Sequence, residues 1–325
     1  MPLTIGIHPS VARIVPPERL ESELTDAAPE ATVRVLDGHG DGRGGRDVTV
    51  DPASVGDSID VVASFGFEEW FLDAGLEWVH VVRAGHDEFP VEALRDRGIA
   101  LTNSSGIHGA PVGETVLGYM LQFAHGLHRY RDDQLDREWN PRPWGESFTL
   151  EGERVCVVGL GTLGRGIARR ADAIGMSVTG VRRTPAPVDH VAERYSPENL
   201  REAVSDARFV VLAVPLNPAT EGLFGAEELA AMREDAYLVN VARGPVADQS
   251  AVVDALKSES IAGAALDVTD PEPLPQESPL WGMENVVVTP HASAADEAFP
   301  ERVADIVGEN VRRLESGESL ANQVV

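Results

Sequence analysis

The sequence predicts an α/β protein of two domains, each built on a parallel sheet. Three observations lead there. Short apolar strands alternate with helical segments in two long series. A glycine-rich turn sits between an apolar strand and a helix. The chain has 325 residues, enough for two domains of ordinary size, and 43% of them are hydrophobic, enough for packed cores.

The first series opens with the strand-like LTIGIHP (3–9) and the helix-like PPERLESEL (16–24). ATVRVLD (31–37), IDVVASFG (59–66), WVHVVRAG (78–85) and GIALTNSS (98–105) then read as strands. Between them DGHGDGRGGRD (37–47) is a glycine-rich surface loop, lacking the strand-to-helix setting of a phosphate cradle. Apolar residues at helical spacing predict one long helix over 110–130. His125 and His128 lie on it, but no further ligand stands at a confirming spacing, so no metal site is expected. A connector with Trp139 and Trp144 follows (137–153). The second series runs through strands at RVCVVGLG, MSVTGV, FVVLAVPL, AYLVNVA, IAGAALDV and NVVVTPH.

Composition narrows the function classes. Against 27 Lys plus Arg stand 53 Asp plus Glu, a net charge of −26. Lys257 is the only lysine. The acids are spread along the chain, which suits a solvated acidic surface, as in proteins adapted to high salt, and disfavours nucleic acid and anionic membranes as partners. No apolar run is long enough to span a membrane, and MPLTIGIHPS lacks the pattern of a signal peptide. The lone cysteine, Cys156, lies in an apolar strand pattern and reads as a buried thiol. A cytoplasmic location is expected.

Gly159, Gly161 and Gly164 form G-x-G-x-x-G directly after an apolar strand. The first glycine permits the tight turn, the second lets a pyrophosphate approach the helix N-terminus, and the third admits close helix–strand packing. About 20 residues on, such units often carry an acidic partner for the ribose 2′-hydroxyl. Here Arg182 and Arg183 stand at that strand end. A guanidinium offers planar donors to a 2′-phosphate, so NADP(H) is the preferred cofactor, with NAD(H) possible. The expected architecture is thus a Rossmann-type doubly wound domain over 104–291. Residues 1–103 plus 292–325 would form a discontinuous, flavodoxin-like substrate domain if the amphipathic last helix (about 296–315) returns to it, with a cleft between the two.

Arg243 in VNVARGPVAD, Asp267 and Glu272 in ALDVTDPEPLP, and His291 in VVVTPHASA all follow apolar strands. In an open parallel sheet such strand ends converge on one ligand site. Together with VVGLGTLGRGIA and VPLNPATEGLF, these stretches occur in the order found in the D-isomer-specific 2-hydroxyacid dehydrogenase family, which the chain resembles over nearly its whole length. The resemblance implies Arg243 as the substrate-orienting cation, His291 as proton donor or acceptor, and Glu272 as its partner. It implies that Ala84 and Gly85 in VVRAG present backbone N–H groups to the substrate carboxylate, and that Asp267 holds the nicotinamide carboxamide. The dinucleotide would also contact Thr162, Leu163, Val214, Pro215, Thr220, Ala242 and His291. The family usually forms dimers through its cofactor domains, so a homodimer is expected. The helix leading into the cofactor domain and the tryptophan connector could supply its surface, with packing of the tryptophans inside their own domain as the alternative. The chain departs from the family at HDEFP (86–90), where a longer Gly- and Asp-containing loop is frequent, and at ASA after His291, where many relatives carry glycine.

The implied activity is reduction of 2-keto acids to D-2-hydroxy acids. Alternatives are a glyoxylate/hydroxypyruvate reductase of the same fold and, from another class, a nucleotide-sensing corepressor-like binding protein.

Overall fold

A computed structural model describes residues 2–39, 48–55, 59–184 and 186–325. Its contacts divide the chain into one unit of residues 1–107 and 295–325 and a second of 108–294. The sequence alone puts the divisions at 103/104 and 291/292.

In the first unit the chain runs β1 (Thr4–Ile7), α1 (Pro17–Ala27), β2 (Thr32–Val35), β3 (Gly38–His39), β4 (Thr49–Val50), α2 (Pro52–Val55), β5 (Val61–Ser64), β6 (Trp78–Val81), α3 (Val91–Asp96) and β7 (Ala100–Asn103). The parallel sheet has the order β2-β1-β5-β6-β7. Central strands buried on both faces need continuous apolar runs, and VVAS and WVHV are wholly buried. One face packs Ile5, Ile7, Val61 and Trp78 under Leu20 and Leu24 of α1. Residues 40–47 of the expected glycine-rich loop lie outside the described residues; at its ends β3 and β4 pair antiparallel.

The second unit holds α4 (Gly109–Ala124), α5 (Leu127–Asp136), β8 (Arg154–Val158), α6 (Thr162–Ala173), β9 (Ser177–Val181), β10 (Glu193–Tyr195), α7 (Leu200–Val204), β11 (Phe209–Leu212), α8 (Ala226–Ala231), β12 (Tyr237–Asn240), α9 (Gln249–Lys257), β13 (Gly263–Leu266) and β14 (Val286–Val288). Its parallel sheet has the order β10-β9-β8-β11-β12-β13-β14. Strand order reverses between β8 and β11, so ligands belong at the carboxyl ends there. The last helix, α10 (Phe299–Ser316), belongs to the first unit. Its Phe299, Val303, Val307 and Val311 line one face at helical spacing and share the core of α1. A Cβ on Gly308 would come within 2.5 Å of the Ala27 carbonyl oxygen, so glycine lets the two helices touch.

One expectation needs correction, and one of two open alternatives falls. The helix expected over 110–130 is two helices. Gly126 adopts φ 61, the left-handed conformation that ends a helix, and α5 restarts at Leu127. The tryptophans do not pack inside their unit: Trp139 and Trp144 are almost wholly exposed. Cys156 is buried as expected, and burial pushes its thiol up to about 12. Among the described residues no helix is long and apolar enough to cross a membrane.

Candidate active site

The glycine loop joins β8 to α6. Gly159 has φ +99, and a Cβ on it would lie 2.6 Å from the Ala213 carbonyl oxygen. A Cβ on Gly164 would lie 1.8 Å from the Gly159 carbonyl oxygen. The chain itself therefore demands these two glycines. Gly161 differs, since a Cβ there would meet nothing within 4 Å. It caps α6 with ordinary φ −77 and leaves the first helical N–H groups without a side-chain cap, so the open space beside it suits a pyrophosphate. Thr162 and Leu163 form the first turn of that helix.

Across the strand reversal, Val214 and Pro215 follow β11, and a Cβ on Gly159 would come 2.7 Å from Val214 Cγ1. The Thr220 hydroxyl donates to the Pro215 carbonyl (2.6 Å) and accepts from Asn217 N–H (2.9 Å), closing the 215–220 loop. At the end of β9, Arg182 donates to the Ala186 carbonyl (3.3 Å). Arg183 is exposed, and neither guanidinium forms an ion pair among the described residues.

Three adjacent strands carry the polar residues. β12 ends at Asn240, which is 1% exposed. Its side chain accepts from Ala242 N–H (3.1 Å) and donates to the Arg243 carbonyl (3.1 Å), shaping the turn that presents Arg243. The guanidinium of Arg243 donates to the Ala242 carbonyl (2.8 Å). Gly244 brings this turn against the next one: a Cβ there would lie 2.0 Å from the Thr269 carbonyl oxygen. In that next turn, after β13, Thr269 N–H donates to Glu272 Oε1 (3.2 Å). Gln249 of α9 braces it with a donor to the Asp270 carbonyl (2.8 Å) and an acceptor for Asp270 N–H (3.0 Å).

The third turn follows β14. Nδ1 of His291 lies 3.1 Å from Glu272 Oε2. Partial burial pushes the Glu272 carboxyl up, but the hydrogen bond and charge of His291, Thr269 N–H and the charge of Arg243 together hold it below the usual carboxylate value. Asp267 is 1% exposed, and its carboxylate accepts from Thr289 Oγ1 (2.6 Å), Ala292 N–H (2.8 Å) and Ser293 N–H (3.0 Å). Among the described residues its Oδ2 accepts only from the Ser293 N–H, so that oxygen keeps acceptor capacity for one more donor.

Residues 117–293 match the family model for the NAD-binding domain of D-isomer specific 2-hydroxyacid dehydrogenases. The chain belongs to this family. A glyoxylate reductase of Korarchaeum cryptofilum is 35% identical over 251 residues, covering 74% of each chain. Among solved structures, a D-isomer specific 2-hydroxyacid dehydrogenase from Xanthobacter autotrophicus Py2, in complex with NADPH and MES, is 31% identical with a TM-score of 0.80, over 100% of this chain and 98% of that one. An NADPH-dependent glyoxylate/hydroxypyruvate reductase from Sinorhizobium meliloti, in complex with NADP and sulfate, is 25% identical with a TM-score of 0.78, over 99% of this chain and 98% of that one. This dehydrogenase is an NAD(P)-dependent oxidoreductase that acts on the CH–OH group of small 2-hydroxy acids, or on the 2-keto acids they become.

The dehydrogenase thus gathers Arg243, Glu272 and His291 within its second unit. Ala84 and Gly85 lie in the first, after β6, where Asn103 Nδ2 donates to the Ala84 carbonyl (2.9 Å). Sequence reasoning missed Asn240, Thr289 and Tyr119 as structural partners of the site. The first two had a signal: each is a polar residue at the end of an apolar strand run. Tyr119 had none, because its place on α4 reads as core.

Proposed function

We propose that this dehydrogenase is an NADP(H)-preferring reductase of 2-keto acids, with His291 and Glu272 as its acid–base pair and Arg243 orienting the substrate. The contact of His291 Nδ1 with Glu272 carries the reading. A carboxylate can only accept, so it takes the Nδ1–H and leaves Nε2 to hold the proton that a reduced keto oxygen requires. Glu272 also stabilises the imidazolium that is present before transfer. Arg243 retains further N–H donors for the substrate carboxylate and the developing alkoxide. Backbone N–H groups of Ala84 and Gly85 bind the carboxylate, as the family resemblance implies. When bound, the dihydronicotinamide supplies the hydride. The pyrophosphate belongs at Gly161 and the first turn of α6, the 2′-phosphate at Arg182 and Arg183, and the carboxamide at Asp267 Oδ2. Val214, Pro215, Thr220 and Ala242 border the same strand ends.

Glyoxylate and hydroxypyruvate are the first substrates to assay, because relatives that match this chain bear those names. A homodimer is part of the proposal: Leu127, Leu135, Trp139 and Trp144 form an exposed apolar run on and after α5, suited to a second copy of the chain. The test of cofactor choice is kcat/KM with NADPH and NADH for the wild type and Arg182→Asp. NADPH is expected to lead in the wild type and NADH in the variant. Equal use of both by the wild type, or no change in the variant, overturns the assignment.

A further inference from the structure

His291 sits in an unusual backbone conformation. Its φ is 54, in the left-handed region that a residue with a side chain adopts only when its surroundings hold it there. Several contacts do so. His291 N–H donates to the Asp267 and Thr289 carbonyls (2.8 and 3.0 Å). The following N–H groups, of Ala292 and Ser293, donate to the Asp267 carboxylate at 2.8 and 3.0 Å. From α4, Thr115 Oγ1 donates to the Ser293 carbonyl (3.0 Å).

Behind Asp267 the network continues. Thr289 Oγ1 lies 2.6 Å from Asp267 Oδ1, and the Tyr119 hydroxyl lies 2.6 Å from Thr289 Oγ1. Its polarity follows from the chemistry. The carboxylate only accepts, so the single Thr289 hydroxyl proton goes to it, and Tyr119 must then donate to Thr289. Tyr119 is 5% exposed, and burial pushes its phenol up to about 12, so the donor keeps its proton throughout the working range. The helix that carries Thr115 and Tyr119 also rests on the cofactor helix: a Cβ on Gly166 of α6 would lie 1.9 Å from the Gly109 carbonyl oxygen. One rigid element therefore touches both the glycine-loop helix and the acid–base turn.

We propose that Tyr119 is a positioning residue for proton transfer: acting through Thr289 and Asp267, it sets the turn of residues 291–293 and with it the imidazole of His291. The inference rests on the reading of His291 as the acid–base group. Without the phenolic hydroxyl, Thr289 loses the donor that fixes its rotamer, one hydrogen bond to Asp267 weakens, and the imidazole samples misaligned orientations.

The experiment compares Tyr119→Phe, His291→Ala and the double variant in NADPH-dependent glyoxylate reduction, with NADPH affinity measured by fluorescence titration. Tyr119→Phe should lower kcat by roughly 10- to 100-fold, the scale of a small misplacement of a reacting group. KM for glyoxylate and Kd for NADPH should stay within about two-fold of wild type. In the His291→Ala background the same change should have no further effect on residual turnover. Thr289→Val should reproduce the defect and Thr289→Ser should relieve it, which keeps the test open if Tyr119→Phe folds poorly. Unchanged kcat in Tyr119→Phe, or an equal loss in the His291→Ala background, overturns the role of Tyr119 while leaving His291 in place. Full turnover in His291→Ala removes both.

Discussion

A histidine can take orientation from one ring nitrogen and exchange a proton at the other only if the two face different partners. Glu272 provides that asymmetry at 3.1 Å. The carboxylate is itself held below its ordinary value, so the fold binds fewer protons there than the unfolded chain does. Stability from this group is therefore complete above the unfolded value near 4.5 and is lost as pH falls through the lowered one. Glu272→Gln should lower kcat by about two orders of magnitude at neutral pH. Its Tm deficit relative to wild type should shrink as pH drops from about 6 to about 3. A deficit that stays constant over that range would show that the ionised carboxylate contributes nothing to stability. The strand-end positions of Arg243, Asp267, Glu272 and His291 were legible in the sequence because polar residues stand out after apolar runs, whereas the roles proposed for them come from the family resemblance. Asn240 and Thr289 share that signature, but only the structure shows that Asn240 holds backbone groups of the Arg243 turn and that Thr289 links the Asp267 carboxylate to the Tyr119 hydroxyl. Tyr119 illustrates the limit: a buried aromatic residue on a helix face carries no mark of where its hydroxyl ends.

At the scale of elements, the glycine loop separates what the chain needs from what a ligand needs. Gly164→Ala places a methyl group 1.8 Å from the Gly159 carbonyl and should destabilise the fold by about 3 kcal/mol or more. Gly161→Ala meets only open space within the chain, so its Tm should stay near wild type while NADPH affinity falls about ten-fold or more. Thermal melts with a binding titration on both variants check this; unchanged affinity in Gly161→Ala would deny the pyrophosphate its place. Apolar runs made most parallel strands visible in advance, since strands covered on both faces need little else. β10 escaped notice because it is three residues long and two of them, Glu193 and Arg194, are charged and exposed, as an edge strand allows. The break between α4 and α5 was hidden by apolar periodicity on both sides of Gly126. That glycine was the available signal.

Over the whole molecule, charge dominates. A net charge of −26 makes the compact state repel itself, and salt screens that repulsion. Raising KCl from about 0.1 M to about 2 M shortens the Debye length from roughly 10 Å to below 3 Å and should raise Tm by about 5 °C or more. A Tm that is flat or falls with KCl would show that the acidic surface is no burden in dilute buffer. Within that field Arg182 and Arg183 form no ion pair among the described residues, and the proposed reading places the extra phosphate of NADP(H) beside them. The same acidity disfavours nucleic acid as a partner but cannot locate a substrate, because the proposed chemistry rests on a few side chains whose neighbours the composition averages away. The central claim is that His291 delivers the proton during keto-acid reduction. Single-turnover reduction of glyoxylate by His291→Ala, preloaded with NADPH, tests it most directly. The account predicts a rate at least about a hundred-fold below wild type with NADPH still bound; a rate within a few-fold of wild type would contradict it.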